Sequence, residues 1–129
     1  MNDTNTQTLF SRYPRLYRGR TLSPQESAMS WGFQCGDGWF DLINGLSAKI
    51  EAECCRLRDA EGWNEAGLPI ATQVKEKFGT LRFYMTHSRI TPAIEAMIDE
   101  ALAESQYICD RCGRQHQANE CPTLRKFPA

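Results

Sequence analysis

At 129 residues the chain is long enough for one domain with a modest core of its own. Hydrophobic residues make up 41%, charged residues 24% and aromatic residues 10%, which excludes wholesale disorder. The formal net charge of -1 excludes a chain built throughout as a polyanion binder.

No apolar run approaches the roughly 20 residues that a membrane span needs. The start, MNDTNTQTLF, lacks the basic and apolar regions of a secretory signal. The expected compartment is therefore the cytoplasm. Its reducing conditions disfavour disulfides, so clustered cysteines point to a metal or to catalysis.

Residues 1–8 read as a polar arm with no need to order. Residues 9–107 read as the core. LFSRYPRLYRGR opens it, with Phe10, Tyr13 and Tyr17 on one apolar edge. Arg12, Arg15, Arg18 and Arg20 crowd the same stretch. Arginine interleaved with tyrosine suits phosphate contact and base stacking. The competing reading is a solvated charged surface with the tyrosines packed inward.

In SWGFQCGDGWFDLINGLSAKIEAECCRLRDAEGW, the GDG triplet is a breaker and Asp37 is placed to cap the helix that follows. Trp39, Ile43, Leu46, Ile50, Cys54 and Leu57 then recur at helical spacing, one face of about five turns. Gly62 and Trp63 end that helix.

LPIATQVKEKFGTLRFYMTHS reads as a hairpin turning at Gly79. Ile70, Thr72 and Val74 alternate on one side of it, as do Leu81, Phe83 and Met85 on the other. A lone hairpin is marginal in water, and Ser30–Cys35 is the candidate third strand. A second helix spans 92–106, with Thr91 as N-cap and Pro92 at its first position. Ile94, Met97, Ile98, Ala101 and Leu102 form its apolar stripe.

That helix runs into C-x2-C-x3-H-x4-C, made of Cys109, Cys112, His116 and Cys121. Soft ligands at this spacing suit one tetrahedral zinc ion, and Gly113 suits the tight turn after the second cysteine. Four ligands from one short loop leave no open position, so the zinc is expected to be structural. The spacing resembles a zinc knuckle with one residue fewer before the histidine. Residues 108–129 are read as an appendage to the core. Arg111 and Arg114 add positive charge around it.

The other cysteines have plainer readings. Cys54 falls on the apolar stripe, and Cys55 lies beside it at a helix edge. Cys35 could form a Cys–His nucleophilic arrangement with Asp37 and His87. Against this, nothing local ties His87 to Cys35, and a GDG turn is more often backbone geometry. The predicted fold is a small α+β domain. Two main helices pack on a β-hairpin or small antiparallel sheet, and a zinc-knuckle-like loop follows.

WGFQCGDGWFDLI, VKEKFGTLRFY, a helix and then CxxCG resemble an uncharacterised family of small proteins encoded in phages, prophages and bacterial genomes. The likeness covers most of residues 30–113. Members of that family close the metal site with a later C-x2-H. Here Pro122, Thr123 and Leu124 follow Cys121, and His116 would stand in for the closing histidine. The resemblance implies a phage-type accessory protein in the host cytoplasm. It implies no mechanism.

The functional expectation is a non-enzymatic, zinc-stabilised module that binds and modulates a host protein. The alternative is a small nucleic-acid-binding protein using the zinc loop and the Arg/Tyr segment. Its contacts would run through Arg12, Arg15, Arg18, Arg20, Arg111 and Arg114. No small-molecule substrate and no membrane partner are indicated. Salt dependence separates the two readings, because phosphate contacts make binding fall steeply with salt.

Overall fold

A computed structural model describes residues 1–86, 90–115 and 121. Three α-helices accompany a three-stranded sheet: α1 (Asp3–Arg12), α2 (Phe40–Glu61), α3 (Pro92–Ser105), β1 (Phe33–Gln34), β2 (Ala71–Lys77) and β3 (Thr80–Met85). The architecture is α+β. Among the described residues, no helix is long and apolar enough to cross a membrane.

The N-terminal segment departs from the sequence expectation. Residues 3–12 are helical instead of an unstructured arm. The Asn2 side chain caps α1 by accepting from the Asn5 N–H, and Leu9 and Phe10 bury the helix on the core. Two buried side chains give a polar helix the tertiary support that its weak propensity lacks. α1 stops before Pro14, as proline sterics require.

α2 is the spine. Ile43, Leu46, Ile50, Cys54 and Leu57 are all buried, and Trp39 lies buried immediately before the helix. Gly62 ends it in the left-handed region at φ 70°. Ser47 is buried on the same face. Its hydroxyl donates to the Ile43 carbonyl at 2.7 Å and accepts from Tyr17 at 2.5 Å. Arg15 reaches α2 from the segment before it, pairing with Glu51 and donating to the Pro69 carbonyl at 2.9 Å. No buried side-chain polar atom among the described residues lacks a partner.

The hairpin forms with Val74 opposite Phe83 and Lys75 opposite Arg82. Phe78 at φ 55° and Gly79 at φ 78° make its two-residue turn. Leu81, Phe83 and Met85 are buried, as alternation predicts. The start of β2 is different. Ile70 and Ala71 are both buried, and a bulge between Ala71 and Gln73 resets the pleat. β1 supplies the third strand, and it pairs with β2 in parallel, Phe33 opposite Val74. The sheet is therefore mixed rather than antiparallel. Two residues of pairing suffice because Phe33 anchors β1 by packing its ring on Phe10 and Tyr17.

α3 begins as expected, with Thr91 accepting from the Ile94 N–H. At its end, Ser105 accepts from the Leu81 N–H at 2.9 Å. This joins the last turn of α3 to β3 and fixes where the chain leaves the core.

Candidate metal centre

The chain leaves α3 through short turns, Tyr107 N–H to the Glu104 carbonyl and Ile108 N–H to the Ser105 carbonyl. Cys109 follows at once. Its N–H donates to the Arg114 carbonyl at 2.9 Å, and Gly113 N–H donates back to the Cys109 carbonyl at 2.8 Å. The loop closes on itself, with Gly113 at φ 78°. The backbone N–H groups of Arg111 and Cys112 bond to the Cys109 sulfur and favour its thiolate.

The sulfurs of Cys109, Cys112 and Cys121 lie within 4.8 Å of one another. Cys109 and Cys121 are 3.6 Å apart, sulfur to sulfur. Tetrahedral zinc with bonds of about 2.3 Å sets its sulfurs about 3.8 Å apart. A disulfide needs about 2.05 Å. The spacing therefore fits one ion between thiolates, and none of the three cysteines is in a disulfide. Cys121 is fully buried, while Cys109 and Cys112 are half-buried. Burial raises the Cys109 thiol above its ordinary value, so a bound cation is what would hold it ionised. His116, the expected fourth ligand, lies outside the described residues.

The loop is docked on the core and is no appendage. Gly38 N–H donates to the Asp110 carbonyl at 2.6 Å, and Gly36 N–H donates to the Asp110 carboxylate at 2.9 Å. The Trp39 indole N–H donates to the Ile108 carbonyl at 2.7 Å. A Cβ on Gly36 would meet the Asp110 carbonyl, and one on Gly38 would meet the Cys109 carbonyl and the Gly113 nitrogen. Each would be closer than 3.0 Å. Two glycines let two backbones touch. Gly36, Gly38, Trp39 and Asp110 were not legible as one unit from sequence. The usable signal was a pair of glycines flanking a single residue directly before a tryptophan.

Asp37 does not cap α2. A turn of 3-10 helix, Asp37–Trp39, separates it from that helix, whose N-cap position falls at Trp39 with no side-chain bond. Its carboxylate serves α1 instead. It accepts from the Asn2 N–H at 2.8 Å, the Asn2 side chain at 3.2 Å and the Asn5 side chain at 3.1 Å. A carboxylate at a helix N-terminus is favourable there. One residue thus links α1 to the glycine pair that seats the metal loop.

The remaining candidates divide. Cys35 is buried, and burial pushes its thiol up to about 12, the direction opposite to an activated nucleophile. His87 lies outside the described residues. Cys54 is in the core and Cys55 is exposed.

Of the arginines expected to form a nucleic-acid surface, Arg15, Arg18 and Arg20 are half-buried, while Arg12 is exposed. Arg15 holds Glu51 and the Pro69 carbonyl. Arg12 donates to the Asn44 side chain at 3.1 Å and covers the Phe40 ring. Arg20 donates to the Pro14 and Tyr17 carbonyls and covers Phe10. Arg18 is half-buried, and its carbonyl accepts from the Thr21 hydroxyl. Tyr17 is fully buried, and Tyr13 is half-buried, edge-on to Tyr17 at 6.5 Å and bonded to Asn44 at 2.8 Å. Arg111 and Arg114 are exposed on the metal loop.

No family model matches the chain, and neither a curated protein nor a solved structure matches it.

Proposed function

We propose that this chain is a non-enzymatic binding module whose fold is locked by one structural zinc ion. The carrying observation is the trio of sulfurs, Cys109, Cys112 and Cys121, at coordination spacing and seated on the Gly36–Trp39 backbone. Three cysteines could bind a metal. Their softness suits zinc, with His116 as the proposed fourth ligand. Bound zinc would supply a cross-link between the end of α3 and the buried Cys121.

A site with four protein ligands leaves no position for water or substrate, which separates structural from catalytic zinc. The resemblance adds the setting, a phage-type accessory protein that engages a host macromolecule in the cytoplasm. Reducing conditions there suit thiolate ligands. A host protein is the partner expected from sequence. The proposed nucleic-acid surface around Arg15 and Arg20 loses support from their part-buried bonds to backbone carbonyls.

Cobalt substitution tests the reading. The expected result is one equivalent of metal with the visible spectrum of a four-coordinate, sulfur-rich site. A spectrum showing coordinated water would overturn the structural assignment. A folded protein that binds neither ion would overturn the metal itself.

A further inference from the structure

The VKEKFGTLRFY segment is only half explained by packing. Val74, Leu81 and Phe83 face the core. The opposite register positions carry Lys75, Lys77, Arg82 and Tyr84, with Gln34 and Gln73 joined side chain to side chain at 3.0 Å. None of the three cations pairs with a carboxylate among the described residues. Glu76, the one acid in the hairpin, sits in the other register, and its carboxylate accepts from the Gly79 N–H at 2.8 Å. Glu26 borders only the Tyr84 end, beside Thr72 and Gln73.

Two features of this face oppose stability. Lys75 and Arg82 stand directly opposite each other, and like charges in that position repel. Phe78 occupies a positive-φ turn position that asparagine or glycine takes without strain, and it is 87% exposed. Strain of this kind gathers at functional sites. Beside these cations lie two open rings. The Lys77 ammonium stands 5.7 Å from the Phe78 ring centre, and the Lys75 ammonium 5.9 Å from that of Tyr84.

We infer that the outer face of the hairpin binds single-stranded nucleic acid, with Lys75, Lys77 and Arg82 on phosphates and Phe78 and Tyr84 stacking on bases. Charge complementarity selects a polyanion. The exposed rings select one whose bases are unpaired, because a duplex keeps its π faces covered. Negative charge between Lys75 and Arg82 also relieves their repulsion. This rests on the binding module proposed above and names a partner class for it, using none of the three cysteines.

The test is fluorescence anisotropy with a labelled 15-nucleotide oligothymidylate, an oligouridylate of equal length, and a duplex of equal length. Either single strand should bind more tightly than the duplex, with affinity falling as salt rises. Lys75→Gln with Arg82→Gln should lower the slope of log affinity against log salt by about 1.4, at about 0.7 per phosphate contact. Phe78→Asn, which suits the turn and should keep the fold, should weaken binding about five-fold or more, as should Tyr84→Thr. Unlabelled polyglutamate should compete poorly.

Equal binding of the duplex would overturn the inference. So would competition by polyglutamate with no effect of the ring substitutions, which would assign the face to an acidic protein and leave the binding module standing. No binding of either strand at low salt would also overturn it. Metal content is measured on every variant and should not change, which keeps failure here distinct from failure of the zinc assignment.

Discussion

Gly38 and Asp110 are in backbone contact, N–H to carbonyl at 2.6 Å, although 71 positions separate them in the chain. The contact joins the turn before α2 to the metal loop after α3. It ties the geometry of the cysteine loop to the core.

Gly38→Ala should therefore reduce both stability and metal retention. Its Cβ would press on the backbone at Cys109 and Gly113, and neither can rotate away. Overpacking of this kind costs roughly 1–3 kcal/mol. Gly45→Ala is the control. It lies inside α2 with nothing within 4 Å of the new Cβ, and should stabilise by about 0.5–1 kcal/mol. Urea denaturation of both variants with metal analysis checks the pair.

One equivalent of zinc should accompany the purified protein. Serine in place of Cys109, Cys112 or Cys121 should abolish stoichiometric binding, whereas Cys55→Ser, at an exposed position, should not. Elemental analysis decides this. Protons compete with the metal for thiolates, so retention should fall as pH falls.

Metal removal should reach the core. The Trp39 indole bonds the Ile108 carbonyl and is 1% exposed, whereas Trp31 is 67% exposed. Chelation should shift tryptophan emission to the red and lower the thermal midpoint. An unchanged emission spectrum would mean that the loop can leave without disturbing Trp39.

Alkaline stability should decline early. Burial raises the Cys35 thiol to about 12 and raises the Tyr17 phenol as well. Above the ordinary thiol value of about 8.5, the unfolded chain sheds a proton that the folded chain keeps. Stability is full below that value and falls by up to about 1.4 kcal/mol per pH unit per group as pH rises toward 12. Denaturation between pH 8 and 11 measures the slope. In the same range, alkylation of native protein should reach Cys55 well before Cys35.

The two faces of β3 should differ sharply. Phe83 is 6% exposed and packs on Tyr17, so Phe83→Ala should cost roughly 3–5 kcal/mol. Arg82 lies on the outer face opposite Lys75, and Arg82→Ala should cost less than about 1 kcal/mol. The reverse order in chemical denaturation would contradict the register.

The sequence by itself determined the local elements. Helical spacing from Trp39 to Leu57 marked α2, Thr91 and Pro92 marked the start of α3, and strand alternation marked β3. The ligand spacing of Cys109 and Cys112 was legible for the same reason, because a C-x2-C turn is a local object. Tertiary structure decided the rest. The polar α1 became a helix only through Leu9 and Phe10 in the core and Asp37 at its N-terminus. Arg15, Tyr13 and Tyr17 of the Arg/Tyr segment turned toward the core because Glu51, Asn44 and Ser47 of α2 take up their donors, while Arg12 stayed exposed. The GDG triplet looked like a helix boundary, and became a seat for the metal loop, because Gly36 and Gly38 meet Asp110 across the fold. Periodicity records which way a side chain faces along its own element. It carries no record of which distant backbone will need the space that a missing side chain leaves.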